Sequence, residues 1–175
     1  MQSGQLDALG FDLYTKMLER TIMELKGETV EDEISVSLNL GVDVSIPNNY
    51  INETSQRLRT YKRISSADSE EKLLGIYTEI QDRYGKIPES VNNLFDYARL
   101  RKLAEAMQII SVDKTNNGFA VKLSENAHVA PEKLMRILSD YEGSAFSPNG
   151  ILRVVVTTEN LIDAARKTLE EIKAN

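Results

Sequence analysis

From Ile34 to Ile46 every even-numbered residue is apolar (Ile34, Val36, Leu38, Leu40, Val42, Val44, Ile46), while most of the intervening ones are polar. A period of two is that of a strand with one face buried, so this run commits the chain to a sheet with a core on one side. Gly41 is expected to mark a bend or bulge within it, and Pro47 ends it. Flanking this run are segments whose apolar residues recur at helical spacing. Before it, Phe11, Tyr14, Leu18, Ile22 and Leu25 form a stripe that Gly27 stops, which predicts an extended N-terminal helix. After it, Asn52 is a candidate cap for a helix reaching about Ile64.

Asp68 and Glu71 read as a capping box opening a further helix to Tyr84, closed by Gly85. Its apolar stripe is Leu73, Ile76, Tyr77, Ile80 and Tyr84, and Glu71, Gly75, Glu79 and Asp82 fall on the opposite side. Pro88 then begins a helix to about Met107, with Val91, Leu94, Phe95, Ala98 and Leu103 expected inward. Beyond it the texture changes. Ile109–Asp113 and Phe119–Leu123 read as a hairpin around Asn116-Asn117-Gly118, Pro131 opens a helix to about Tyr141, and Pro148-Asn149-Gly150 separates two short strands. Thr158 is the expected cap of a last helix to Ala174. Hairpins segregated from helices imply an α+β fold: a helical layer, a small antiparallel sheet and the N-terminal helix, with no low-complexity linker between. The expected organisation is a connecting helix over 1–27 and a domain over 28–175, helical to about 107 and strand-strand-helix repeats thereafter.

Several chemistries lack their residues. The net charge of −6 argues against a domain that holds nucleic acid by neutralising phosphates. With no cysteine and His128 as the one histidine, neither a structural zinc site nor a disulfide framework is available, and nucleophile–imidazole catalysis has a single base to draw on. His128 sits in Glu125-Asn126-Ala127-His128-Val129, between a strand and a helix, where a turn or cap role is expected. Gly85-Lys86 lacks the glycine and hydroxyl residue of a phosphate loop. The carboxylate pairs Glu70/Glu71 and Glu170/Glu171 lie on polar helix faces, and Tyr77 and Tyr84 lie on an apolar stripe, as packing residues do. No cofactor and no enzymatic reaction are expected. No stretch reaches the length of a membrane span and no secretory signal opens the chain, so a cytoplasmic location is expected. Tyr61-Lys62-Arg63 is a small basic spot, either a surface salt-bridge cluster or a charged docking edge.

Arg57-Leu58, Tyr61-Lys62-Arg63-Ile64, Asp82-Arg83-Tyr84-Gly85, Pro88, Asn93-Leu94 and Ala98-Arg99-Leu100 occur in an order and spacing that resembles the C-terminal domain of the bacterial transcription-repair coupling factors. Gly10-Phe11-Asp12-Leu13-Tyr14 is similar to the helix leaving that family's translocase motor, and Gln2-Ser3-Gly4 to the end of its translocation motif. The second half is looser, carried by Asn126-Ala127-His128-Val129, and the Gly41-Val42-Asp43 region departs from the pattern. The resemblance implies a larger parent that displaces stalled RNA polymerase with an ATP-driven double-stranded DNA translocase. That parent recruits the excision-repair damage-recognition ATPase through an N-terminal module. It also implies that this domain docks on that module within the same protein and hides it until polymerase is engaged.

Glu79 and Asp82, three apart on one helix, suit a bidentate arginine from such a partner. Glu71 and Arg83 are the neighbouring docking candidates, and Lys62 and Arg63 form a secondary pair. The alternative is a free-standing module that senses a small molecule, built from the two strand-strand-helix units.

Overall fold

The computed structural model describes residues 36–175. The helix expected over 9–25 lies outside the described residues. So does the start of the alternating run. The elements in order are β1 (Ser37–Asn39), α1 (Thr54–Ser66), α2 (Glu70–Tyr84), α3 (Glu89–Ala106), β2 (Ile109–Thr115) and β3 (Gly118–Leu123). Then follow α4 (Pro131–Asp140), β4 (Ala145–Phe146), β5 (Ile151–Val155) and α5 (Leu161–Ile172). The architecture is α+β, as the pattern of elements predicts. Among the described residues it divides into two compact units, one of residues 43–98 and one of residues 36–42 and 99–175, with the boundary inside α3.

The first unit is helical. Ile64 of α1, Leu73, Ile76 and Ile80 of α2, and Val91, Leu94 and Phe95 of α3 are buried, each at the helical spacing that puts them on one face. Burying a side chain of this size contributes roughly 1.5–3 kcal/mol. Tyr61 is also core, and its hydroxyl accepts the backbone N–H of Ile46 at 2.5 Å, satisfying a buried donor that no ladder reaches. Tyr77 sets its ring edge-on to Phe95, centroids 5.2 Å apart, and donates its hydroxyl to Asn92 Oδ1 at 2.9 Å.

Helix caps differ from those expected. α1 is preceded by Glu53 and not capped by Asn52. α2 is capped by Ser69, whose hydroxyl accepts the Lys72 N–H, one residue after the expected Asp68. On α3 the buried positions include Tyr97, Leu100 and Ala104, while Ala98 and Leu103 are half-buried.

The second unit carries a five-stranded sheet of order β1-β2-β3-β5-β4. β2, β3, β5 and β4 pair antiparallel, but β1 joins β2 in parallel, with Leu38 opposite Val112, so the sheet is mixed and not wholly antiparallel. The alternating run yields a strand of only three residues. Burial does alternate from Val36 to Leu40, and then Gly41, at φ +66°, turns the chain out of the sheet. Leu38, Val112, Phe119, Val121, Leu152 and Val154 are fully buried on one face, with α5 against β3 and α4 beside α5.

Gly118 sits where β3 meets β5. A Cβ there would overlap the carbonyl oxygen of Val154 and come within 3.0 Å of Val154 C and Val156 N, so the close pairing admits glycine only. α5 is capped by Asn160, which accepts the Asp163 N–H at 3.2 Å; the expected cap, Thr158, instead accepts the Asn160 N–H and turns the chain into the helix. His128 is exposed and serves through its backbone, donating to Met107 O and accepting from Ala174 N.

Candidate docking surface on helix α2

α2 is built to be rigid at both ends. Ser69 caps its start, Glu70 and Glu71 in the first turn complement the positive helix end, and Arg83 lies in the last turn. Gly85, at φ +91°, closes it and donates its N–H to Gln81 O at 2.9 Å. Leu73, Ile76 and Ile80 anchor the buried face, so the helix presents a fixed outer face in which Glu71, Leu74, Gly75, Thr78, Glu79, Asp82 and Arg83 are all exposed.

Glu71, Glu79 and Asp82 therefore share the solvent side of one helix, as the periodicity predicts, and Arg83, the fourth primary candidate, is exposed beside them. Arg63 does not stand apart from them. Its Nη2 lies 2.5 Å from Glu79 Oε2, joining α1 to α2 across 16 residues of sequence. The hydrogen bond from Arg63 holds the Glu79 carboxyl below the usual glutamate range, against the opposing effect of desolvation, and the charges of Arg63 and Arg83 add to it. Both partners are about half exposed, 41% and 51%, so the pair contributes at most about 1 kcal/mol to stability. Its consequence is orientation: one carboxylate oxygen of Glu79 is occupied by Arg63. Asp82, one turn along, makes no ion pair among the described residues. Lys62 is half-buried beside Arg63, and Tyr61 is drawn into the core and out of the basic spot.

Two features of this face were not anticipated. Leu74, 58% exposed, is an apolar side chain among the acids, legible only as a break in the polar face. At the other end, Tyr50 brings its hydroxyl to the carbonyls of Gly85 (2.9 Å) and Ile80 (3.2 Å), and its ring lies tilted on Tyr84, centroids 5.8 Å apart. Burial, then the neighbouring Tyr77 and Tyr84, push the Tyr50 hydroxyl pKa up. Tyr84, expected in the core, is half-buried and carries the Arg83 guanidinium 5.3 Å from its ring centre.

Among the described residues no group of three or more His, Cys, Asp or Glu is placed to hold a metal ion, and no helix is long and apolar enough to cross a membrane.

Residues 40–134, which include α1 and α2, match the family model of the TRCF domain. The chain is 34% identical over 146 residues to a transcription-repair-coupling factor of Rickettsia bellii, covering 82% of this chain and 13% of that protein. To the one from Rickettsia typhi it is 31% identical over 173 residues, covering 96% of this chain and 15% of the relative. The fold is similar, with a TM-score of 0.68 at 19% identity, to the crystal structure of a C-terminal domain of transcription-repair coupling factor, over 79% of this chain and 94% of that one. The chain thus spans 13–15% of the length of these two relatives.

Proposed function

The chain belongs to the TRCF domain family, and from that premise we propose that it is a non-catalytic docking module that masks the repair-recruiting N-terminal module of its own parent protein. The observation that carries the reading is the outer face of α2. Glu79 is held in place by Arg63, Asp82 stands one turn away with no ion pair among the described residues, and both sit on a helix fixed at both ends. A rigid pair of carboxylates on an exposed face suits an arginine-bearing surface, because the planar guanidinium fork meets carboxylates bidentately.

The lock works by tethering. A module on the same chain faces its partner at an effective concentration on the order of millimolar, so a weak interface stays mostly closed. Opening it from 99:1 to 1:99 takes about 5.5 kcal/mol of differential binding, which contacts of the parent with RNA polymerase and double-stranded DNA supply. The exposed N-terminal module then engages the excision-repair damage-recognition ATPase. On this reading the parent's translocase is restrained by the same contact, in the cytoplasm, and this domain performs no chemistry of its own.

Calorimetric titration of this chain with the parent's N-terminal module tests the proposal. Weak binding in trans is expected, and Glu79→Ala with Asp82→Ala should weaken it at least tenfold. Unchanged affinity in the double variant overturns the placement on α2, and nanomolar binding by the unaltered chain contradicts an easily opened lock.

A further inference from the structure

Arg83 lies in the last turn of α2, and its surroundings decide whether it is a free surface cation or a fixed one. Its guanidinium lies 5.3 Å from the centre of the Tyr84 ring, and it makes no ion pair among the described residues. The Tyr84 ring also meets that of Tyr50, tilted at 56° with centroids 5.8 Å apart. Tyr50 is itself pinned, because its hydroxyl proton is shared between the carbonyls of Ile80, in the last turns of α2, and of Gly85, the residue that closes it. Both carbonyls lie at or next to the helix end, where a side-chain donor adds most. Three contacts thus run in series: the Tyr50 hydroxyl to the helix end, the Tyr50 ring tilted against that of Tyr84, and the Arg83 guanidinium over the Tyr84 ring.

We propose that Tyr50 and Tyr84 form a platform that pre-orders Arg83, so that the docking face recognises a partner surface pairing a carboxylate, for Arg83, with the arginine that meets Glu79 and Asp82. The inference rests on the docking reading above. A guanidinium placed over a ring spends none of its N–H donors on side-chain carboxylates, which leaves them for a partner's carboxylate, whose two oxygens match the fork. Asp82 is adjacent in sequence and of opposite sign, so a partner of one charge alone would meet repulsion at one of the two positions. A long side chain otherwise loses rotamer freedom on binding, and removing that cost is worth about two- to tenfold in affinity. Neither tyrosine needs to touch the partner; both are positioning residues.

The test is a set of double-mutant cycles on this chain, read as affinity for the parent's N-terminal module and as thermal midpoint. Tyr50→Phe and Tyr84→Leu should each weaken binding about two- to tenfold when Arg83 is present. Both effects should vanish in an Arg83→Ala background, although the thermal midpoints still fall there. Arg83→Lys, which keeps the charge and loses the planar fork, should behave nearly as Arg83→Ala. Loss of affinity that persists undiminished without Arg83 means the tyrosines act on the fold alone and overturns the platform. No loss in Tyr50→Phe or Tyr84→Leu does so equally. If Glu79→Ala with Asp82→Ala has no effect, the docking reading itself fails, and the platform with it. If that pair weakens binding while the tyrosines prove uncoupled to Arg83, only the platform fails.

Discussion

The same substitution, glycine to alanine, should act with opposite sign at two places in this chain. At Gly118 the new methyl would overlap Val154 O and approach Val154 C and Val156 N to 3.0 Å, all backbone atoms of the neighbouring strand, which cannot rotate away. The strands must part by about an ångström, since real Cβ atoms essentially never come closer than 3.0 Å to such neighbours. That disturbs the Gly118–Val155 pairing and the Val156 N–H bond to Asn117 O, 3.0 Å long. A hydrogen bond contributes about 0.5–1.5 kcal/mol, and a donor left buried without a partner costs about 1–3 kcal/mol. Gly118→Ala should therefore destabilise by about 2–4 kcal/mol, or about 5–15 °C in melting midpoint for a chain of this size.

Gly75 lies on the exposed face of α2 with nothing within 4 Å of the added methyl. There alanine removes backbone entropy from the unfolded chain and should stabilise by about 0.5–1 kcal/mol. Urea unfolding followed by circular dichroism measures both, and amide exchange at Val155 and Val156 localises the first. A Gly118→Ala variant within about 0.5 kcal/mol of the parent, or shifted in the same direction as Gly75→Ala, would refute the reasoning.

Tyr61→Phe removes the acceptor of the buried Ile46 N–H, and a loss of about 1–3 kcal/mol is expected by chemical denaturation, with little change in the packing of the ring. Asn160→Ala should cost about 1 kcal/mol through the lost cap of α5, and Thr158→Ala distinctly less, which thermal melts of the two variants will separate. Hydrogen bonds from Lys167 and then Arg166 hold the Asp163 carboxyl below the usual aspartate range. Its folded-state pKa is depressed, so its stabilisation is present above the ordinary aspartate pKa and fades as pH falls through and below it. Asp163→Asn should flatten that part of the midpoint-against-pH curve.

What the sequence makes legible here is governed by range. α2 reads well because its signals are local: a stripe of five apolar residues at helical spacing, of which Leu73, Ile76 and Ile80 are buried, a glycine stop, acids on the far side. Its cap lies one residue from the expected position because Asp68 and Ser69 are both able to accept an N–H, and it is Ser69, extended at φ −151°, whose hydroxyl takes that of Lys72. Thr158 and Asn160 exchanged roles for a related reason, each hydroxyl or amide serving a donor two or three residues on. The parallel pairing of β1 with β2 joins residues over 70 positions apart, and nothing in a strand names its partner. At the candidate site the acids were visible on one face, but the union of Arg63 with Glu79 and the reach of Tyr50 to Gly85 depend on how helices pack, which periodicity does not encode.

The central claim is that the outer face of α2 meets the parent's N-terminal module, and titration of the isotopically labelled chain with that module, followed by amide NMR, tests it most directly. The account predicts shifts concentrated at Glu71, Glu79, Asp82 and Arg83, with residues of β2, β3 and β5 unmoved. Binding whose shifts fall elsewhere, or no shift at high module concentration, would contradict it.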